Sequence, residues 1–170
     1  FKALWITDFP MFDEVELDNG KTRWVACHHP FTAPQAEYAV SMEERPGEAL
    51  AQAYDLVING HEMGGGSIRI HQREIQERMF RVLGMPEEEQ REKFGFLLDA
   101  FRFGPPPHGG LALGVDRLVM EMVGASSLRD VIAFPKTNRA QDLMLDAPGR
   151  IDQDQFEELY LESTVEAKDS

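Results

Sequence analysis

The sequence predicts an α+β fold, an antiparallel sheet flanked by helices. Two observations carry that class. The strand-like segments come as hairpins joined by turn residues, and the helical segments do not alternate with them as a doubly wound sheet requires. At 170 residues and 42% hydrophobic, the chain has the apolar content to fill one core.

Residues 2–8 and 22–28, rich in Trp, Ile, Val and Thr, read as strands joined through the turn-forming Asp18-Asn19-Gly20. From Pro30 to Gly47 the composition turns to Pro, Ala, Glu and Ser, a loop with a short helical piece. Residues 49–58 and 61–70 flank Asn59-Gly60, the strongest short signal for a two-residue type I′ hairpin turn. Residues 72–83 put Ile75, Met79, Val82 and Leu83 on one helical face, closed by Gly84. A second helix runs from Pro86 to Phe103, burying Phe94, Leu97, Leu98 and Phe101, and Pro105-Pro106-Pro107 breaks it. A strand over 110–115, a helix over 117–123, an apolar segment over 130–135 and a final acidic helix over 153–167 complete the order.

Composition removes several classes of function. Thirty acidic against 17 basic residues give a net charge of −13, the reverse of a general nucleic-acid sleeve. Any positive charge offered to RNA must therefore act locally or come from another part of the parent protein. No run of 18 apolar residues is present to span a membrane. The single Cys27 excludes an internal disulfide framework and fits a reducing cytosol. The chain opens without Met, mid-pattern on a strand, which predicts a piece of a longer protein.

The type I′ turn sets a register in which Ile58 opposes His61, Val57 opposes Glu62 and Asp55 opposes Gly64. Asp55 and Glu62 then lie diagonally on one face, roughly 7 Å apart. Such a pair can share a magnesium ion whose shell is completed by substrate phosphates and water. In isolation the pair reads first as two acids facing solvent on an exposed sheet face. Gly64-Gly65-Gly66 adds weight, because three glycines weaken a strand and suit a bulge or a ligand pressed against the main chain. Strict alternation would put Glu62 and Arg69 on opposite faces, so a bulge or strong twist is predicted within 63–67, turning both into one pocket. Arg69 is suited to grip a carboxylate with two parallel hydrogen bonds, the alternative being an internal salt bridge.

Gly109 to Met120 reads as a glycine-punctuated strand turning straight into a helix, with Asp116 as its cap and Arg117 in its first turn, a site suited to a phosphate. No Gly-Lys-Ser/Thr follows the glycines, so this is not a P-loop. His28 and His29 are expected on opposite faces, one of them toward the pocket, and zinc is not predicted.

Asp55, Glu62-Met63-Gly64-Gly65-Gly66-Ser67-Ile68-Arg69 and Gly109-Gly110-Leu111-Ala112-Leu113-Gly114-Val115-Asp116-Arg117 together resemble the second half of a class II aminoacyl-tRNA synthetase catalytic domain. The second stretch is similar to that class's third signature motif. Phe9-Pro10-Met11-Phe12, His28-His29-Pro30-Phe31-Thr32 and the segment from Glu87 to Leu98 narrow the resemblance to the bacterial-type aspartyl enzymes.

The resemblance covers residues 1–150 as the C-terminal portion of the catalytic domain and leaves 151–170 as an acidic tail or helix. It implies that Asp55 and Glu62 hold Mg²⁺, that Glu62 and Gly114, Val115, Asp116 and Arg117 contact ATP, and that His28 and Arg69 contact L-aspartate. Glu62 and Arg117 would act directly in catalysis. The implied reaction makes aspartyl-adenylate and passes aspartate to tRNA-Asp. The implied setting is a cytoplasmic homodimer that forms through an N-terminal part outside this chain. That part also carries the first and second signature motifs, so the chain alone is expected to be inactive. With the anticodon-reading domain elsewhere, tRNA-Asn stays open as a second acceptor. The rival readings are an asparagine-synthetase-like adenylating enzyme and a non-catalytic synthetase-like interaction module.

Overall fold

The computed structural model describes residues 1–162 and Thr164. Its centre is a four-stranded antiparallel sheet in the order β1-β4-β5-β6, formed by Ala3–Ile6, Ala53–Ile58, His61–Ile68 and Gly109–Leu113. A separate hairpin pairs β2 (Phe12–Glu16) with β3 (Thr22–Ala26). Among the described residues four α-helices accompany them: α1 Arg73–Val82, α2 Glu87–Ala100, α3 Val115–Val123 and α4 Gln153–Glu158. This is the α+β class that the hairpins predict.

The Asn59-Gly60 turn forms as expected. Both residues have positive φ, 53° and 90°, the requirement of a type I′ turn. Pairing starts in the predicted register, Ile58 with His61 and Val57 with Glu62. It then shifts, so that Leu56 faces Gly64 and Asp55 faces Gly65 in place of the expected Gly64. Met63 is the extra residue, and the predicted bulge lies there.

The first expected strand pair is corrected. Asp18-Asn19-Gly20 joins β2 to β3, closed by Leu17 N–H donating to the Lys21 carbonyl at 2.7 Å, while β1 pairs with β4. Strand β2 hides in an acidic segment, Asp13-Glu14-Val15-Glu16, whose three acids face solvent and leave little apolar signal. The loop after Pro30 holds three short 3₁₀ turns at Ala36–Tyr38, Ser41–Glu43 and Pro46–Glu48. Residues 49–52 make only isolated bridges before β4.

Helix α3 starts two residues earlier than expected. Gly114 is its N-cap and Asp116 lies inside the first turn, so Asp116 is not the cap. The apolar segment 130–135 forms no strand and leaves Phe134 exposed. The final helix ends at Glu158, and part of the segment expected to continue it lies outside the described residues.

The core gathers Met11, Phe12, Met42, Ala51, Ala53, Ile70 and Met79 between the sheet, the 3₁₀ segment and α1. Ile75, Val82 and Leu83 pack against it, as the helical period predicts. Beside it, Phe80 is fully buried and stacks on Phe94 of α2 with ring centroids 5.0 Å apart, while Phe31 meets both rings edge-on. This aromatic cluster ties the loop after His28-His29 to both helices. Phe80→Ala is expected to lower unfolding free energy by about 3–5 kcal/mol, read from urea titration. A loss below about 1 kcal/mol would show the cluster to be peripheral.

Candidate active site

The β4–β5 bulge decides how the site is built. One residue inserted at Met63 reverses the alternation beyond it, so Glu62 before the bulge and Arg69 after it border the same cavity. The Met63 carbonyl accepts from Gly114 N–H at 2.8 Å, which brings the start of α3 against the bulge. The resulting cavity, about 530 Å³, collects Asp55, Glu62, Arg69 and Arg117 with His28 and His29. Both acids and both guanidinium groups singled out in the sequence therefore share one space.

Its floor is main chain. A Cβ on Gly65 would lie 2.2 Å from Asp55 Oδ1, so the Asp55 carboxylate rests directly over that glycine. Across the same strand, a Cβ on Gly66 would lie 1.8 Å from the Gly110 carbonyl oxygen and one on Gly64 2.2 Å from that of Ala112. The three glycines thus let β6 and the Asp55 carboxylate approach β5 from different sides.

Arg117, in the first turn of α3, donates from Nη1 to the Glu62 carbonyl at 2.7 Å and stands 3.5 Å from Glu62 Oε2. Gly114 also borders the cavity, whereas Val115 and Asp116 do not and face solvent. Only the first and last residues of the Gly114–Arg117 stretch therefore reach the space.

His28 and His29 both line the cavity, against the expectation of opposite faces. Alternation fails because β3 ends at Ala26 and the chain bends there. His28 packs edge-on against Phe9, and it is His29 that meets Arg69. The His29 Nδ1 accepts from Phe31 N–H at 3.2 Å and lies 3.0 Å from Arg69 Nη1. Thr32, almost fully buried, places its hydroxyl near this ring and 3.5 Å from Ser67 Oγ. No period or motif marks this contact in the sequence, since it depends on the bend.

Burial, reinforced by the nearby Arg69 and His28 charges, pushes the His29 imidazole below its ordinary pKa of 6.5. The folded chain thus refuses a proton that the unfolded chain accepts, and stability must fall as pH drops through about 6.5. Urea titrations at about pH 7.5 and about pH 5.5 should show a smaller loss in His29→Gln than in the parent. Equal losses in both would mean that the ring titrates normally.

Asp55 and Glu62 supply two hard carboxylates at an open cavity, and no group of three metal-ligating side chains exists among the described residues. That donor set fits magnesium, which takes one or two carboxylates and fills its shell with phosphate and water. It lacks the closed nitrogen and sulfur cage of structural zinc.

Residues 1–138 match the family described as tRNA synthetases class II (D, K and N). The chain belongs to that family. An aspartyl-tRNA synthetase from Entamoeba histolytica superposes with TM-score 0.57 at 23% identity, covering 81% of this chain and 23% of that one. The asparaginyl-tRNA synthetase of the same organism, in complex with asparaginyl-adenylate, superposes with TM-score 0.57 at 21% identity, covering 82% and 26%. Pyrococcus horikoshii asparaginyl-tRNA synthetase gives TM-score 0.54 at 21% identity, covering 80% and 26%. At these identities the likeness is one of fold, shared by aspartyl and asparaginyl enzymes alike. The class II synthetase chain described here spans about a quarter of the length of these relatives, and no helix in the described residues is long and apolar enough to cross a membrane.

Proposed function

We propose that the protein carrying this chain is an aspartate–tRNA ligase. It joins L-aspartate to ATP as aspartyl-adenylate, releases pyrophosphate, and passes aspartate to the 3′ end of tRNA-Asp.

The observation that carries this reading is the state of Arg69. Half-buried at the cavity wall, it has no carboxylate within ion-pair distance among the described residues, and burial lowers the pKa of its nearest ring, His29. A guanidinium so placed lacks a counter-charge that an aspartate side chain supplies. An asparagine amide would leave the charge uncompensated, and a lysine side chain would be repelled.

Arg69, with His28 and His29 beside it, holds the amino-acid side chain. Asp55 and Glu62 would hold Mg²⁺, whose contribution is to neutralise and orient the ATP phosphates. Arg117, beside Glu62 in the first turn of α3, would meet the terminal phosphate of a triphosphate laid along Gly114. The aspartate α-carboxylate attacks the α-phosphorus, the bond to the β-phosphate oxygen breaks, and pyrophosphate leaves. This needs no protein nucleophile, only placement and charge compensation. A cytoplasmic homodimer with its tRNA-reading parts outside this chain goes with the reading. An inert interaction module would have no use for four converging charges.

ATP–pyrophosphate exchange by the complete gene product tests the proposal. Exchange with L-aspartate is expected to exceed that with L-asparagine or L-lysine by about 100-fold or more. Preference for asparagine would move the assignment to the asparaginyl branch and no exchange would sink it, while a separate acceptor assay that found ammonia in place of tRNA would move it to an amide-forming enzyme.

A further inference from the structure

Helix α3 touches the β4–β5 hairpin at a second place, one turn beyond Arg117. Glu121 accepts from Asn59 Nδ2 at 2.6 Å and meets His61 Nδ1 at 2.7 Å. Residues four apart lie on the same helix face, so Arg117 and Glu121 grip the hairpin in parallel. Arg117 takes the Glu62 carbonyl, while Glu121 takes the turn residue Asn59 and the His61 side chain next to Glu62.

The geometry makes more of Glu121 than a surface ion pair. Its side chain is only 12% exposed, against 57% for His61. Asn59 has a further tether, exchanging hydrogen bonds with the Lys2 main chain at 2.9 Å. The two hydrogen bonds to Glu121, Asn59 first, hold its carboxyl below the usual carboxylate range. Glu62 itself is more than half exposed, and among the described residues its side chain's ion pair is the 3.5 Å one to Arg117. Its placement therefore depends on how its backbone is fixed, and Glu121 fixes the side of that backbone which Arg117 does not.

We infer that Glu121 is a positioning residue: by latching α3 to the hairpin tip through Asn59 and His61, it sets the spacing of Glu62 and Arg117 for the ATP phosphates. The inference rests on reading the cavity as adenylate-forming. Its effect should be confined to the nucleotide side, because Arg69 and the two histidines by its side belong to other anchors.

Exchange kinetics on the complete gene product provide the test. Glu121→Ala is expected to raise KM for ATP and lower kcat by about 10- to 100-fold together, the scale of a small misplacement of reacting groups. KM for aspartate should stay within about twofold. Glu121→Gln, which keeps an acceptor oxygen, should recover most of the loss. His61→Ala, changing a solvent-facing side chain, should reproduce part of it, and it decides the matter alone if Glu121→Ala does not fold. Unchanged ATP parameters in both alanine variants, or equal changes in both KM values with a matching drop in Tm, would overturn the latch. If the parent shows no exchange with any amino acid, the adenylating reading fails by itself. Amide hydrogen exchange over residues 59–62 then judges the latch, faster exchange in Glu121→Ala supporting it and unchanged exchange overturning it.

Discussion

Arg69→Leu is expected to weaken aspartate activation by about 30-fold or more while leaving the fold intact. The side chain stands at the cavity wall, and among the described residues the side-chain hydrogen-bond partner of its guanidinium is the His29 ring. Its backbone performs a separate task, donating to the His108 carbonyl at 2.8 Å and bridging to Thr32. Leucine preserves the backbone contacts and removes the charge. Truncating one partner of a desolvated ion pair costs about 2–5 kcal/mol, roughly 30- to 5,000-fold in affinity. The loss should appear as a raised KM for aspartate, with ATP affinity and Tm nearly unchanged. Lysine should rescue little, because a point charge cannot form the two parallel bonds of a guanidinium fork. A leucine variant that still activates aspartate within tenfold of the parent would place the amino-acid side chain elsewhere.

Much of this site is legible in the sequence because its parts are local. Asn59-Gly60 fixes the turn and the first two pairs of the register. The need to bring Glu62 and Arg69 together then predicts a bulge near the glycines, and Met63 supplies it. What was not legible depends on the chain bending back through space. Alternation separates His28 from His29, but the strand that would enforce it stops at Ala26. Asp116 has the chemistry of a helix cap, yet the hydrogen bond from Gly114 N–H to the Met63 carbonyl starts the helix early and carries Asp116 into its first turn. Strand β2 escaped because its acidic side chains carry no apolar alternation. Glu121 resembles any acid on a helix face until the hairpin tip is placed beside it.

Gly66 and Gly65 should separate stability from function when each is replaced by alanine. At Gly66 the new Cβ would lie 1.8 Å from the Gly110 carbonyl oxygen, with Leu111 Cα 3.1 Å away. Those obstacles are backbone on the neighbouring strand, which can retreat only by opening the β5–β6 ladder. A loss of about 3 kcal/mol is expected for forcing volume into such a contact, a large share of the roughly 5–15 kcal/mol of a whole domain. At Gly65 the obstacle is Asp55 Oδ1 at 2.2 Å, the end of a side chain that can turn away. The fold should therefore survive Gly65→Ala, with the Asp55 carboxylate swung off the cavity floor. On the proposed reading, KM for Mg-ATP should then rise about tenfold or more, with aspartate affinity unaffected. Urea titration and exchange kinetics on both variants give a crossed pattern: Gly66→Ala loses stability first, and Gly65→Ala loses nucleotide binding in a stable protein. The same loss of stability at both positions would mean that Asp55 cannot move, and normal Mg-ATP kinetics in Gly65→Ala would remove Asp55 from the phosphate site.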